Sequence, residues 1–314
     1  MYGLSARRTL PVLALGAASL MLVACAQTPS SSSSSAAAPS STAASAAASS
    51  AASEVASASP EPAVDECAPE NLTLLTPGTL TIGTDTPAYP PYFEDDDPTN
   101  GQGFESAVAY AVASNLGFEP NQVTWTVVPF NTSYAPGDKA FDFDINQISI
   151  TPKRQKVVDF SDGYYTVNQA VVALKDSPIA NATTIAELQA AKLGAQIGTT
   201  SLEYINDVVK PAEQPYVYND TNDAKSALQN GQIDGIVVDL PTAYYITAVE
   251  MPKGKIVGQF PSPESGEQFG LLFAKGNPLV TCVNKALAEL KESGQLQAIQ
   301  DQWLAGETAP YFTE

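Results

Sequence analysis

The sequence predicts an α/β protein built from two lobes. Strand-like and helix-like segments alternate from Leu80 almost to the end of the chain, a pattern typical of parallel sheets covered by helices. The alternation falls into two series, of which the second begins at Thr184. The stretch from Ala63 to Glu314 is long enough for two domains of ordinary size or for one large one.

The first series opens with a strand at Leu80–Thr84, followed by a loop rich in proline and acids. Phe104, Val108, Val112 and Leu116 recur every fourth residue, which predicts a helix that ends at Gly117. Further strands of this series are predicted at Val123–Val128, Phe141–Ile145 and Ala170–Leu174.

The second series begins with a short helix, because Thr184 and Glu187 have the spacing of a capping box. Strands are predicted at Leu193–Ile197, Tyr216–Tyr218, Ile233–Val238, Lys255–Phe260 and Phe269–Ala274. Helices are predicted at Ser201–Lys210, Asp223–Asn230, Thr242–Val249, Leu279–Glu292 and Leu296–Leu304.

Residues 1–24 have the features of an export signal. Arg7 and Arg8 form a positive start, and the apolar run Thr9–Val23 is too short to span a bilayer comfortably. The four residues that end at Cys25 resemble the bacterial lipobox, which implies that this cysteine is acylated and begins the mature chain. The alternative is a secretory signal cut at a nearby small residue, with Cys25 incidental.

The residues from Cys25 to Pro62 are nearly all serine and alanine, with scattered proline. Such a segment has no large side chains to bury, so it predicts a disordered tether. A glycosylated stalk is the alternative.

The chain has a formal net charge of −19, which becomes more negative when Arg7 and Arg8 leave with the signal. Such a surface argues against nucleic acid and anionic lipid as partners. Keeping the domain soluble is a sufficient reason for this acidity.

After Cys25 the sequence contains two cysteines, Cys67 and Cys282, and an even pair in an exported chain suggests a disulfide. Two separate buried thiols are the alternative. A bond would bring the last segment beside the first lobe, which predicts lobe 1 at 63–175 and 269–314 and lobe 2 at 176–268. Two crossing strands would then form a hinge, and ligands bind open α/β sheets at the carboxyl ends of their strands.

The composition excludes several kinds of catalytic site. The sequence contains no histidine, so triads, Cys–His dyads and histidine metal sites cannot form. It has no phosphate-binding Gly-Lys-Ser/Thr motif, and Gly101-Gln-Gly103 lacks the third glycine of a dinucleotide fingerprint. We therefore expect no catalytic residues, no metal and no cofactor.

Arg154 is the one arginine that remains after the signal is removed. A guanidinium presents a planar fork that binds a carboxylate through two parallel hydrogen bonds, which lysine cannot reproduce. Arg154 is therefore a candidate carboxylate receptor. The alternative is a surface arginine paired with a nearby acid.

Several ordered motifs resemble the extracellular solute-binding proteins of polar amino-acid ABC transporters, family 3, over residues 80–304. They are Ile82–Pro91, Gly103-Phe-Glu105, Asp144–Arg154, Val158–Tyr165, Gly198-Thr-Thr200 and Gly231–Asp239. The resemblance implies a two-lobed, type II periplasmic-binding-protein-like fold with the ligand cleft between the lobes. The segment 135–144 departs from many members and resembles an actinobacterial subgroup, so side-chain specificity is harder to transfer.

The resemblance also implies roles for individual residues. Arg154 and Ser149 would bind the ligand α-carboxylate, with Gln147 lining the same edge. Thr200 would add N–H donors from the start of a helix. Ordinary helix capping is the alternative role for Thr200, and both roles can hold together.

On the opposite side of the ligand, the resemblance implies that Asp239 receives the ammonium group, unless it is a solvated acid at a strand end. Tyr89 and Phe130 match aromatic positions that enclose the ligand side chain. Asp85 matches a residue that reaches the tip of that side chain. It could instead organise its own loop by accepting backbone N–H bonds.

The family resemblance implies a monomeric binding protein, anchored by lipid at the outer face of the cell membrane, that delivers a free amino acid to an ABC permease. The acids Asp85 and Glu94–Asp97 favour arginine, then lysine, glutamine and glutamate. An amino-acid-sensing ectodomain is one alternative. A cyclohexadienyl or arogenate dehydratase is another, because such enzymes resemble the same fold.

Overall fold

A computed structural model describes residues 65–262, 266–304, 306 and 308–314, which all fall in one compact unit. The proposed signal, the lipidation site Cys25 and the tether lie outside these residues. Among the described residues, no helix is long and apolar enough to cross a membrane.

The chain forms twelve strands within the described residues, arranged in two five-stranded sheets and one two-stranded ribbon. The strands are β1 Leu80–Thr84, β2 Val123–Val127, β3 Phe143–Asp144, β4 Val158–Phe160, β5 Tyr165–Val167, β6 Gln169–Leu174, β7 Leu193–Gln196, β8 Tyr216–Tyr218, β9 Gly235–Asp239, β10 Gly254–Gln259, β11 Glu267–Phe269 and β12 Leu272–Ala274.

Seven α-helical segments accompany these strands in the described part of the chain. They are α1 Phe104–Asn115, α2 Phe130–Ser133, α3 Thr200–Tyr204, α4 Thr221–Gln229, α5 Leu240–Tyr245, α6 Leu279–Glu292 and α7 Gln295–Trp303. Helices α3 and α5 each continue as a π-helix, over Ile205–Val209 and Ile246–Glu250 respectively.

The first sheet has the order β2-β1-β3-β12-β4 and the second the order β10-β6-β9-β7-β8. Both are mixed, because β12 runs antiparallel to β3 and β4, while β6 runs antiparallel to β9 and β10. The two-lobed α/β prediction is confirmed, whereas the parallel sheets that the alternation predicted are mixed. The chain returns to the first sheet from the second lobe, so β12 enters it from the opposite direction.

The predicted strand Phe141–Ile145 differs from its observed form. Its alternation of apolar and polar residues is typical of a half-exposed strand, yet every residue from Phe141 to Asn146 is buried. Packing on both faces of the first sheet covers this segment, which leaves Asp142 and Asp144 inside the protein.

The chain crosses between the sheets earlier than residue 175. Strand β6 pairs in the second sheet, and β5 and β11 form an antiparallel ribbon between the two sheets. The single predicted strand Phe269–Ala274 is divided between this ribbon and β12. The predicted lobe boundary at residue 175 is therefore wrong for β6, whose apolar run carries no sign of which sheet it joins.

The end of the chain also departs from the predicted return to the first lobe. The amide of Phe312 donates to Gln259 O, and that of Thr313 donates to Thr183 O, which attaches the last residues to the second lobe. The ring of Phe312 lies over Gly258, where a Cβ atom would approach it to 2.8 Å. The missing side chain at Gly258 thus makes room for the tail.

The disulfide between Cys67 and Cys282 is confirmed, with Cα atoms 5.4 Å apart. It joins the start of the described chain to α6, which packs with α1 and α7. The cores of the two lobes are separate, since α1 and α6 contribute to one cluster and the two faces of the second sheet contribute to two others.

Replacing both Cys67 and Cys282 by serine is expected to lower the free energy of unfolding by about 3–5 kcal/mol, because the bond closes a very long loop. Urea unfolding followed by tryptophan fluorescence measures this change. A reductant should shift the wild-type curve to that of the variant and leave the variant unmoved. Equal stability of the oxidised wild type and the double variant would contradict the prediction.

Candidate ligand-binding cleft

A cleft lies between the two sheets, at the carboxyl ends of β1, β7 and β9. It encloses about 660 Å³, counting the space that is open to solvent. Its lining residues are Asp85, Tyr89, Phe130, Asn146, Gln147, Gln196, Thr199, Thr200, Ser201, Thr221, Val237, Val238, Asp239 and Thr242.

Most of the residues singled out in the sequence converge on this cleft. Six of them line it directly: Asp85, Tyr89, Phe130, Gln147, Thr200 and Asp239. Ser149 and Arg154 lie just behind the wall and are not among the lining residues. Ser149 is nevertheless close, because its Oγ lies 3.4 Å from Thr200 Oγ1 of the second lobe.

Arg154 is buried where the two lobes meet. Its Nη1 donates to Ser149 O at 2.6 Å, and its Nη2 donates to Gly198 O of the second lobe at 2.9 Å. The guanidinium carbon lies 5.6 Å from the ring centre of Phe130 and 4.9 Å from that of Tyr134. Burial lowers the pKa of Arg154, and nearby acidic groups oppose that shift.

The local sequence explains how Arg154 reaches this position. The residues before it form a turn in which Thr151 Oγ1 accepts the Arg154 amide at 3.2 Å. On the facing lobe, Gly198 has a φ of +77°, and a Cβ there would collide with Tyr134 Oη. Glycine is therefore required where the two lobes approach each other.

Asp239 ends β9 opposite the first lobe, and Pro241 follows it in the first turn of α5. Its Oδ1 accepts a hydrogen bond from Gln169 Nε2 at 2.6 Å. Burial, and then the negative charge of Glu267, raises the pKa of Asp239 well above its ordinary range. A cation next to Asp239 would favour its ionised form.

Glu267 and Gln169 are central to the site and were missed in the sequence. Glu267 Oε1 accepts from Ser149 Oγ at 2.5 Å and from Gln169 Nε2 at 3.2 Å. Gln169 Oε1 accepts from Ser201 Oγ at 2.6 Å, so this one amide joins both carboxylates to the start of α3. Gln169 opens an apolar strand and Glu267 follows a Pro- and Ser-rich stretch, and neither position carries a periodic signal.

The start of α3 faces the cleft with Thr199 as its N-cap. Thr199 Oγ1 accepts the amide of Leu202 at 3.1 Å, while Thr200 and Ser201 occupy the first positions of the helix. Amides in a first helical turn have no intrahelical acceptor, so they can donate to an anion. The capping residue is thus Thr199 rather than Thr200.

At the opposite end of the cleft, Asp85 both lines the cavity and organises its own loop. Its Oδ1 accepts from the Thr86 amide at 2.7 Å, and its Oδ2 accepts from the Phe130 amide at 3.0 Å. Phe130 is nearly buried and also lines the cleft. Burial, together with the charges of Asp220 and Asp85, raises the pKa of Tyr89.

Several polar atoms buried beside Asp85 lack a hydrogen-bond partner among the described residues. They are Thr84 Oγ1, both carboxylate oxygens of Asp144, and Asn146 Nδ2. Asn146 lines the cleft, and Asp144 precedes it by two residues in the same buried segment. Burial raises the pKa of Asp144 well above its ordinary range, and the charges of Glu105 and Asp85 add to the shift. Buried polar groups need a polar partner, which a ligand group or a water molecule can supply.

Gln147 lines the cleft in an unusual backbone conformation, with a φ of +49°. For a residue other than glycine this conformation costs about 1–2 kcal/mol. Glu105, in the first turn of α1, accepts the Gln147 amide at 2.7 Å and also accepts from Gln147 Nε2. Glu105 thus stabilises both the backbone and the side chain of Gln147.

The described residues contain no group of three or more His, Cys, Asp or Glu side chains placed to hold a metal ion. The cleft is lined by the carboxylates of Asp85 and Asp239, and the buried cation Arg154 lies just behind its wall. This arrangement suits a molecule that carries charges of both signs.

Comparison with known proteins identifies relatives over most of the folded region. Residues 80–306 match the family described as bacterial extracellular solute-binding proteins, family 3. The arginine-binding extracellular protein ArtP of Bacillus subtilis (strain 168) is 28% identical over 233 residues, which cover 73% of this chain and 87% of that protein.

Solved structures give the same picture. An ancestral arginine-binding protein bound to arginine is 31% identical, covering 73% of this chain and 99% of its own, with a TM-score of 0.62. An ancestral amino acid-binding protein, described as a precursor of cyclohexadienyl dehydratase, is 30% identical over 72% of this chain and 95% of its own, with a TM-score of 0.59.

Proposed function

Because the chain belongs to the bacterial extracellular solute-binding proteins of family 3, we propose that it captures a free amino acid and delivers it to the permease of an ABC transporter. One observation carries the proposal. Arg154 of the first lobe is buried just behind the interlobe cleft, and the half-buried Asp239 of the second lobe lines the same cleft. A zwitterion would compensate both charges at once, and an uncharged solute would compensate neither.

Each polar group at this end of the cleft then has a role. Arg154, Ser149 and Thr200 bind the ligand carboxylate, with Gln147 at its edge, and Asp239 binds the ammonium. Arg154 already donates to Ser149 O and Gly198 O, and its remaining N–H groups are left for the carboxylate. Glu267 and Gln169 hold Asp239 and Ser149 in place around the ligand.

The ligand side chain lies between Tyr89 and Phe130 and ends near Asp85. We infer that this side chain is cationic. The carboxylates Asp85 and Asp239 line the cleft and Glu267 is hydrogen-bonded beside them, whereas the one guanidinium, Arg154, is taken up by the ligand carboxylate. The arginine-binding relatives support this assignment.

Binding closes the two lobes on the ligand, with the β5–β11 ribbon as the hinge. Contacts that cross the cleft, such as Asn131 Nδ2 to Asn219 O at 3.3 Å and the Lys153–Glu203 ion pair at 3.5 Å, are available to hold the closed form. The closed monomer is the form that the permease recognises.

The protein remains at the outer face of the cell membrane through a lipid on Cys25, and the Ser- and Ala-rich residues that follow act as the tether. We propose no catalytic activity, in agreement with the binding proteins among its relatives. Turnover of prephenate or arogenate would reverse that conclusion. Uptake that persists after deletion of the gene would favour a sensing ectodomain instead.

Changing Arg154 to alanine is expected to weaken amino-acid binding by at least about a hundredfold, because a ligand carboxylate would be buried without its partner. Isothermal titration calorimetry measures the effect. Lys156→Ala is the matched control, since it removes a cation from the same turn at an exposed position and should leave the affinity within about twofold. An Arg154→Ala protein that binds within tenfold of the wild type would remove Arg154 from the site.

Changing Asp85 to asparagine is expected to weaken binding of L-arginine and L-lysine by about tenfold or more, while the affinity for L-glutamine changes much less. Asparagine keeps one of the two acceptor oxygens that Asp85 offers to the Thr86 and Phe130 amides, so a general loss caused by the loop would weaken L-glutamine binding equally. Competition of the three amino acids in calorimetry gives the comparison. Equal losses for charged and neutral ligands would contradict the proposed cationic side chain.

Changing Cys25 to serine is expected to move the protein from the membrane fraction into the medium, because acylation needs the thiol. Cell fractionation measures the distribution, and mass spectrometry of the mature amino terminus shows whether lipid is attached. Unlipidated wild-type protein, or unchanged membrane association of the variant, would contradict the anchor.

A further inference from the structure

Glu105 is a buried acid that the binding mechanism has not yet used. It accepts hydrogen bonds from the Gln147 amide, from Gln147 Nε2 and from Tyr164 Oη. Its position in the first turn of α1, a helix of twelve residues, favours a negative charge. The carboxylate therefore binds both the backbone and the side chain of one cleft residue.

This double contact fixes which way the Gln147 amide points. An ionised carboxylate can only accept hydrogen bonds, so it selects the orientation in which Nε2 faces Glu105. The Gln147 Oε1 atom accepts no hydrogen bond from the described residues and remains as the free polar atom of a side chain that lines the cleft.

We propose that Glu105 is a positioning residue for ligand binding. Its ionised carboxylate holds Gln147 in the left-handed conformation and leaves the Gln147 amide oxygen to accept from the ligand α-ammonium, which adjoins the carboxylate edge where Gln147 lies. The inference rests on the proposed function and adds that affinity follows the ionisation of Glu105. Protonated Glu105 presents an O–H donor, and the Gln147 amide then turns its oxygen towards Glu105 and its NH₂ group away from it.

The surroundings of Glu105 bring its ionisation into a pH range that can be tested. Burial raises the pKa of Glu105 to about 7, against the hydrogen bonds from Tyr164 and Gln147, which lower it. The titratable groups that interact with it are Tyr92, Tyr164, Asp144 and Asp239. The two tyrosines have pKa values raised by burial, so both stay neutral near pH 7.

The sign of the pH effect follows from linkage. Because the ligand prefers the ionised form of Glu105, affinity falls as the pH drops through 7. One proton with a pKa near 7 changes the Kd by at most about tenfold between pH 8 and pH 6. Asp239, whose pKa is also raised, adds a contribution of the same sign, so the wild-type profile alone cannot isolate Glu105.

The test compares wild type and Glu105→Gln by calorimetry with L-arginine at pH 8 and pH 6. Because the charge of Glu105 raises the pKa of Asp239, the variant also changes the Asp239 contribution, so the ratio of the Kd values is interpreted together with the titration of the Gln147 amide. We expect the variant to bind about tenfold more weakly at pH 8 and within about twofold of wild type at pH 6. A ratio that is the same at both pH values would mean a merely structural role and would overturn the proposal.

Two-dimensional ¹⁵N NMR of the full chain supplies a readout that needs no ligand. The Gln147 amide should titrate with a midpoint near pH 7 in wild type and should not titrate in Glu105→Gln. Tyr164→Phe removes a hydrogen bond that lowers the pKa of Glu105, so it should move the midpoint upward. A Gln147 amide that does not respond to pH, or a midpoint unmoved in Tyr164→Phe, would overturn the proposal.

The two readouts separate the two hypotheses. Failure of the wild type to bind any of the twenty amino acids or L-cystine would refute the proposed function, and with it the claim that Glu105 serves binding, even if the Gln147 amide titrates. Binding without that titration would refute the Glu105 proposal alone. Tyr164→Phe keeps the Glu105 carboxylate. If Glu105→Gln fails to fold, the midpoint in Tyr164→Phe therefore still tests whether Glu105 controls the Gln147 amide.

Discussion

Burying the guanidinium of Arg154 between the two lobes is the constraint on which the site depends. A cation withdrawn from water must be surrounded by acceptors and π-faces, and here one carbonyl comes from each lobe. The carbonyl of Gly198 reaches Arg154 because glycine allows that turn to approach Tyr134. The relative position of the lobes is thus coupled to the coordination of one side chain.

The carboxylates around the cleft form the counterpart of this cation. Asp239, Glu105 and Asp144 all have pKa values raised chiefly by burial, and each raises that of a neighbour. Burial thus favours the neutral forms of these carboxyl groups, and a cation bound beside them would favour their ionised forms.

The sequence predicted well those features that local periodicity encodes. Strand β1 and helix α6 have the predicted bounds, and the pairing of Cys67 with Cys282 followed from counting thiols. The order and direction of strands in a sheet depend on contacts between distant segments. The apolar runs of β12 and β6 therefore could not show that β12 is antiparallel or that β6 belongs to the second sheet. Strands β4 and β5 were not predicted, although β8, which is equally short, was predicted with the observed bounds.

The same limit applies to the candidate site. Residues within a contiguous motif, such as Gln147 and Thr200, were found because the motif marks them. Gln169 and Glu267 form their hydrogen bonds with residues from distant segments of the chain. Glu267 is also one of 34 acids, so its residue type alone does not distinguish it. Glu105 belonged to a recognised motif, but its hold on Gln147 depends on a fold that places the two segments side by side.

The attachment of the C-terminal residues to the second lobe bears on the mechanics of the hinge. Helix α7 packs with α1 and α6 in the first lobe, whereas Phe312 is part of a core in the second. The polypeptide chain therefore passes between the lobes three times instead of twice. A third connection restricts how the lobes can rotate relative to each other. Opening must therefore either keep the C-terminal residues in place or remove the Phe312 ring from its contact with Gly258.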